Sequence, residues 1–231
     1  MSFRSNKLRK MTLKSLLPRR LAALCNHRWF PIVCGAVWLG TSVAGLTALW
    51  RSENTPGIRT AVPAQWPAAS RISQTPGIAT LVMFAHPRCP CTVASVGELE
   101  KLIARFNGRV SAHVIFYKPH GASDEWAHTD LWRSAAAIPG VEVRCDEDGA
   151  EASLFEAATS GFVVLYDQRG QLCFNGGITS ERGHSGDNEG ESAIAAVLNG
   201  QPPRLTAMPV FGCSFFGPGS KVINGAAVCT K

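Results

Sequence analysis

The sequence predicts an α/β domain, a central mixed sheet flanked by helices, preceded by a single transmembrane helix. Three observations predict it. A run of 21 residues without a charge, FPIVCGAVWLGTSVAGLTALW at 30–50, lies near the N-terminus. Two nearly continuous apolar runs, at 78–85 and 110–117, flank a stretch with helical spacing. A later pair of apolar runs around Gln168-Arg169-Gly170 reads as a hairpin, and one more amphipathic stretch follows it. Strand, helix and buried strand in that order make a parallel unit, because parallel strands need a long crossover. The hairpin then makes the sheet mixed.

The first element is the membrane anchor at 30–50. A helix of 21 residues rises about 31 Å, close to the hydrocarbon thickness of a bilayer. Trp29 and Trp50 stand at its ends, where amphipathic rings settle at an interface. A buried core helix would show a polar face, and none exists. A cleaved signal would be shorter and would end on a small-residue site, which is missing. The whole chain of 231 residues carries 23 Lys and Arg against 17 Asp and Glu, a net charge of +6. Eight of those basic residues fall in 1–28 with no acid among them, leaving 15 basic and 17 acidic residues beyond, a net of −2. The charge therefore marks a basic arm at 1–29 that stays cytoplasmic while the remainder is exported. A nucleic-acid-binding globule is disfavoured, and composition excludes collagen, a coiled coil and wholesale disorder. Residues 51–76 hold four prolines and read as an extended linker that lifts a domain off the membrane, unless Trp66 packs back onto it.

The domain proper is expected at 77–200. Residues 78–85 form the first strand. Residues 92–106 place Val93, Val96, Leu99, Leu102, Ile103 and Phe106 on one helix face. Residues 110–117 form a second buried strand, 128–138 a helix and 141–145 a short strand. Asp148 with Glu151 reads as a capping box that opens a helix through about Ala158. Residues 162–167 and 171–174 form the hairpin. A Gly-rich loop follows at 176–186, and Asp187 is placed to cap a last helix carrying Ile194, Val197 and Leu198, stopped by Gly200 and Pro202. Residues 201–231 show no periodicity and read as an irregular tail that packs in part.

The chain has eight cysteines. Cys25 and Cys34 lie beside or within the anchor. Cys89, Cys91, Cys145, Cys173, Cys213 and Cys229 would be exported, where disulfides are permitted. Six cysteines allow 15 connectivities, and the body is long enough to need no disulfide framework. One chemically special pair is expected instead. It is HPRCPCT at 86–92, on the joint between the first strand and the first helix. A thiol there meets a helix N-terminus, whose partial positive charge favours the thiolate, and Arg88 adds a full charge nearby. A Cys89–Cys91 disulfide would close a small, strained, oxidising ring. The same two thiolates could instead hold one soft ion such as Cu(I), or stand as structural cysteines.

HPRCPCT after a buried strand, with the strand order above, resembles the thioredoxin superfamily over roughly 76–200, and membrane-tethered bacterial members most. HPRCPCT, GGITSERGHSGDNEG at 176–190 and PVFGC at 209–213 together resemble the RedB family. The resemblance implies a thioredoxin-like fold and a periplasmic domain on a bacterial inner-membrane anchor. It aligns Cys89 with the superfamily's nucleophile and Thr92 with its resolving cysteine, while Cys91 lies between. It puts the superfamily's cis-proline, which positions substrate backbone and shields the thiols from metals, at about Gly161. The missing proline weighs against ordinary protein-disulfide exchange and toward metal binding.

In that topology the loop after Phe174 returns to the end that carries Cys89, bringing Arg182, His184, Asp187 and Asn188. His184 could be a general base, a proton shuttle or a metal ligand. His86 could join the site or be structural. Cys213 could pack or be a partner thiol for Cys89 or Cys91. Three functions stay open. The first is thiol-disulfide redox chemistry by Cys89 and Cys91 with Arg88 and His184, no cofactor, and a thiol or disulfide protein as partner. The second is a copper carrier or assembly factor, with Cys89, Cys91, His86, His184 and Cys213 as the ligand pool. The third is a non-catalytic interaction domain. Cys173 reads as core, and Cys145 and Cys229 could pair. Asp146-Glu147-Asp148-Gly149 lacks the spacing of a calcium loop, and Gly217 and Gly219 make no dinucleotide fingerprint.

Overall fold

The structure is a computed structural model that describes residues 29–215 and two short strands, β6 (Val222–Ile223) and β7 (Ala226–Ala227). The basic arm at 1–28 with Cys25, and the end of the tail with Cys229, lie outside the described residues. The chain divides into two compact units between Ser52 and Glu53. The first is dominated by α1 (Phe30–Asn54), which buries none of its residues and reaches a mean hydropathy of 1.8. It is long and apolar enough to cross a membrane, and it runs four residues past the uncharged segment.

The second unit is built on one five-stranded sheet of order β3-β2-β1-β4-β5. β1 (Ala79–Ala85) pairs parallel with β2 (Val110–Lys118), and β2 pairs parallel with β3 (Val141–Glu147). On its other side β1 pairs antiparallel with β4 (Phe162–Tyr166), which continues antiparallel into β5 (Leu172–Gly176). The α2 helix (Thr92–Arg105), the α3 helix (Asp130–Ala136) and the α5 helix (Glu189–Leu198) cover one face, where Leu99, Leu102, Ile103, Leu131 and Ile194 meet Leu81 and Met83. The other face packs Val82, Phe84, Val164 and Tyr166 against Phe155, which follows the short α4 helix (Ala150–Leu154), and against Ile72, Val210 and Phe215. Side chains of β1 alternate between the two cores because successive residues point to opposite faces. This is a thioredoxin-like sheet with β3 added at the far edge.

Several local expectations change. Val93 is 59% exposed, and the first turn of α2 buries Thr92, Ala94 and Ser95 instead, with Val96 following. The helix expected over 128–138 is present but shorter, as α3, and a 3₁₀ turn at Asp124–Trp126 precedes it. Asp148 and Glu151 form no capping box. Asp148 and Gly149 both hold positive φ, 53° and 72°, so the chain reverses there, and Asp146 caps α4 from two residues further back. Its Oδ1 and Oδ2 accept from Glu151 N (2.8 Å) and Ala152 N (2.9 Å). The helix stops at Leu154, short of Ala158. Asn188, not Asp187, caps α5, accepting from Glu191 N at 2.8 Å. The segment expected as a free linker is packed in its second half. Trp66 meets Phe155 and Tyr166 edge-on at 5.0 and 5.2 Å, Tyr166 donates to Pro63 O at 2.8 Å, and Trp66 N and Leu172 N bond across 64–66 and 170–172. Aromatic rings bury large areas, which outweighs the extension favoured by four prolines. The tail is likewise docked as far as Phe215.

Candidate active site

The site begins where β1 runs out. His86 N donates to Ser160 Oγ at 2.7 Å, which fixes the first residue after the strand. Cys89 N donates to His86 O at 3.0 Å and Thr92 N to Cys89 O at 3.2 Å, so the motif tightens into two successive turns before α2. Those turns carry the Cys89 thiol beneath the helix start. Cys89 is 2% exposed, and Thr92 and Ser160 are fully buried, sharing a hydrogen bond at 2.6 Å.

Burial pushes the Cys89 thiol up, yet hydrogen bonds from Thr92 and from Cys213, side chain and backbone of each, outweigh it and lower it to about 7. Hydrogen bonds to the charged form favour the thiolate. The charge of Arg88, expected to do this, lies elsewhere: its guanidinium stands over the Trp126 ring, 4.8 Å from the centroid. Thr92 occupies the place where the resemblance puts a second cysteine, and it contributes a hydroxyl donor there.

Cys213 is brought against Cys89 by the tail. Its backbone N donates to Cys89 Sγ at 3.4 Å. Burial and the hydrogen bond to Cys89 push its own thiol up to about 12. Cys91 is half-buried at the α2 N-cap. Burial and the neighbouring Cys89 charge push its thiol up, and Arg182 opposes them. Cys89, Cys91 and Cys213 are all free thiols.

The Gly-rich loop does reach the site. Glu98, buried in α2, accepts from Gly186 N at 2.9 Å and holds the loop down, and Gly183 lies against Cys91. The side chain delivered is Arg182, not His184. Arg182 Nη1 donates to Gly212 O at 2.8 Å and Nη2 to Thr55 O at 3.1 Å. His184 is exposed, with its backbone N donating to Glu181 O. His86 is turned away from the thiols into an aromatic group. It stacks on Tyr117 (6.0 Å) and meets Trp126 edge-on (5.7 Å), and its Nδ1 accepts from Arg88 N at 3.2 Å. Burial and Arg88 push its imidazole down, so it is neutral at pH 7.

Gly161 stands where the proline is absent, and its conformation explains why. Its φ is +87°, and its N donates to Phe84 O at 2.8 Å. A proline can supply neither.

The five residues expected as a copper ligand pool do not converge, because His86 and His184 point elsewhere. Among the described residues no group of three His, Cys, Asp or Glu is arranged to hold a metal ion. Thr92, Ser160 and Arg182 are the residues that sequence reasoning left without a role. Thr92 had a signal in its three-residue spacing from Cys89. Ser160 and Arg182 had none beyond lying near the expected site end.

No family model matches the chain, and no curated protein matches it. A hypothetical protein from Sinorhizobium meliloti is similar in structure, 24% identical with a TM-score of 0.50, over 70% of this chain and 93% of its own. An uncharacterized conserved protein from Geobacillus kaustophilus is 20% identical with a TM-score of 0.53, over 73% of this chain and 96% of its own. A secreted disulfide oxidoreductase of Mycobacterium tuberculosis, homologous to E. coli DsbE, is 15% identical with a TM-score of 0.41, over 54% and 83%. At these identities the likeness is one of fold, and it agrees with the thioredoxin-like sheet order.

Proposed function

We propose that this chain is a membrane-tethered thiol-disulfide redox protein of the bacterial periplasm, with Cys89 as the attacking thiolate. One observation carries the reading: Cys89 sits at a helix start with the Cys213 N–H on its sulfur at 3.4 Å, hydrogen bonds from Thr92 and Cys213 lower its thiol to about 7, and two further free thiols stand beside it. A thiolate, not a thiol, attacks a disulfide sulfur. The attack breaks the partner's S–S bond and leaves a mixed disulfide on Cys89, which a second thiol of the chain then resolves. The apolar α1 helix supports the tether, and the motif trio at 86–92, 176–190 and 209–213 supports membership of the RedB group.

The test is labelling of the reduced full chain with a thiolate-selective alkylator near neutral pH. Cys89→Ser abolishes the fast-reacting thiol if the reading is right, and unchanged kinetics sink it. A Cu(I) titration of the same reduced protein separates the carrier reading. One equivalent retained against glutathione and lost in Cys89→Ser would replace redox chemistry with metal transfer. A cysteine pair that resists mild reductant and binds no metal would leave a static interaction domain.

A further inference from the structure

We propose that Cys213, not Cys91, is the thiol that resolves Cys89, delivered by the tail as an added strand. The proposal rests on the redox reading of Cys89 above. Residues 210–215 run antiparallel along 158–160, the stretch that precedes Gly161. Ser160 N donates to Cys213 O at 2.8 Å, Phe215 N donates to Ala158 O at 3.0 Å, and Thr159 and Ser214 form an antiparallel bridge. An extended segment that adds to an exposed backbone edge in this way gains affinity from main-chain bonds while alternate side chains are presented inward. Here the chain's own tail fills that edge, and the side chain it presents is a thiol.

The tail segment is fixed on both sides of Cys213. Gly212 packs so closely on the Ser160 carbonyl that a Cβ would collide with it. Arg182 holds Gly212 O, Gly57 N donates to Val210 O at 2.7 Å, and Val210 and Phe215 are buried in the second core. Cys213 is thereby placed with its backbone N on Cys89 Sγ and its thiol hydrogen-bonded to the same sulfur. Cys91 is placed otherwise. Its backbone is helical, and the Thr92 N to Cys89 O bond makes the pair positions i and i+2 of one turn. Its thiol lies beside the Arg182 guanidinium. It also touches the Cys89 thiol and is shared with Arg182, whereas Cys213 is fixed against Cys89 by main-chain bonds on both sides.

The electrons balance as follows. The Cys89 thiolate attacks one sulfur of a disulfide R–S–S–R′, the S–S bond breaks, and R′S⁻ leaves and takes a proton from water. Cys213 gives its proton to water, its sulfur attacks Cys89 Sγ, the Cys89–Cys213 bond forms, and RS⁻ leaves and is protonated. The substrate gains two electrons, the protein loses two, and an external dithiol returns them. Timing follows from charge. The Cys89 anion is what holds the Cys213 proton most firmly after burial, and the mixed disulfide removes that anion. Cys213 is released to ionise at the step that needs it.

Oxidised glutathione is the probe. The full chain in detergent is reduced with dithiothreitol, desalted, mixed with the probe, acid-quenched and alkylated. Cleavage after Arg88, Lys101, Arg204 and Lys221 puts Cys89 and Cys91 on one peptide and Cys213 on another. Wild type and Cys91→Ser are expected to give the cross-linked pair through Cys89. Cys213→Ser and Cys213→Ala are expected to accumulate the Cys89–glutathione adduct, at least about tenfold longer-lived than in wild type, since an intramolecular thiol is lost. Closure of an intrapeptide Cys89–Cys91 disulfide at the wild-type rate in both Cys213 variants overturns the proposal and leaves the function intact. Absence of any Cys89 adduct, with probe on another cysteine, overturns the function as well.

Discussion

At the scale of single residues, reactivity rests on hydrogen bonds more than on formal charges. Cys89 is desolvated, which alone would suppress the thiolate, and Thr92 and Cys213 reverse the sign. With its folded value near about 7 against 9 for the ordinary thiol, the thiolate is populated above pH 7 and lost as pH falls through it. The rate of alkylation against pH should therefore be half-maximal near 7. Thr92→Val removes the largest donor and should move that midpoint up by about one unit, slowing labelling at pH 7 roughly fivefold. A midpoint that stays put would assign the shift to the helix start instead.

Gly161 supports a second test at the same scale. Restoring proline there asks for φ near −65° where the chain holds +87° and deletes the bond to Phe84 O. Gly161→Pro should cost about 3 kcal/mol or more, read as a lowered urea midpoint. An unchanged midpoint would mean that the loop re-forms freely. What was legible at this scale was local. Cys89 followed from its place between strand and helix. The contact with Cys213 spans 124 residues and no local pattern encodes it.

At the scale of elements, periodicity marked the strands and α2 well, because two cores draw apolar side chains at spacings of two and of three to four. Caps were misread by one or two residues. Which acid caps a helix depends on where the chain turns, and the positive φ of Asp148 and Gly149 moved the start of α4 beyond the reach of Asp148. Asp146 does the work from a buried position. Asp146→Ala should lower stability by about 1–2 kcal/mol, since two N–H groups lose their acceptor. Burial also pushes the Asp146 carboxyl up to about 6, against an ordinary value near 3.8. The native state then holds the proton more tightly than the unfolded chain, so this group's contribution is full below pH about 4 and fades as pH rises through about 6. Asp146→Asn cannot ionise. Relative to it, wild type should lose stability on the order of 2 kcal/mol between pH 4 and 7, measured by urea unfolding. A difference independent of pH would contradict the buried titration.

At the scale of the whole second unit, three segments that look unrelated in sequence share one side chain. Arg182, from the Gly-rich loop, binds Thr55 O at the entrance of the Pro-containing segment, Gly212 O in the tail, and the neighbourhood of Cys91. The loop that positions it is in turn held by Glu98 on α2. The strap carrying Cys213 is thus tied to the domain through a guanidinium, and the low Cys89 value depends on that strap, because Cys213 supplies two of the donors that lower it. Arg182→Gln keeps a polar side chain but cannot span both carbonyls. It should leave the fold standing on its two cores, loosen 210–215, and move the Cys89 alkylation midpoint up toward the ordinary thiol value. The Cys91 thiol should rise with it, since Arg182 is what opposes burial there. Hydrogen exchange at Cys213 N and Phe215 N should quicken in the same variant. An unmoved midpoint with quickened exchange would separate the strap from the thiolate and return the shift to Thr92 alone.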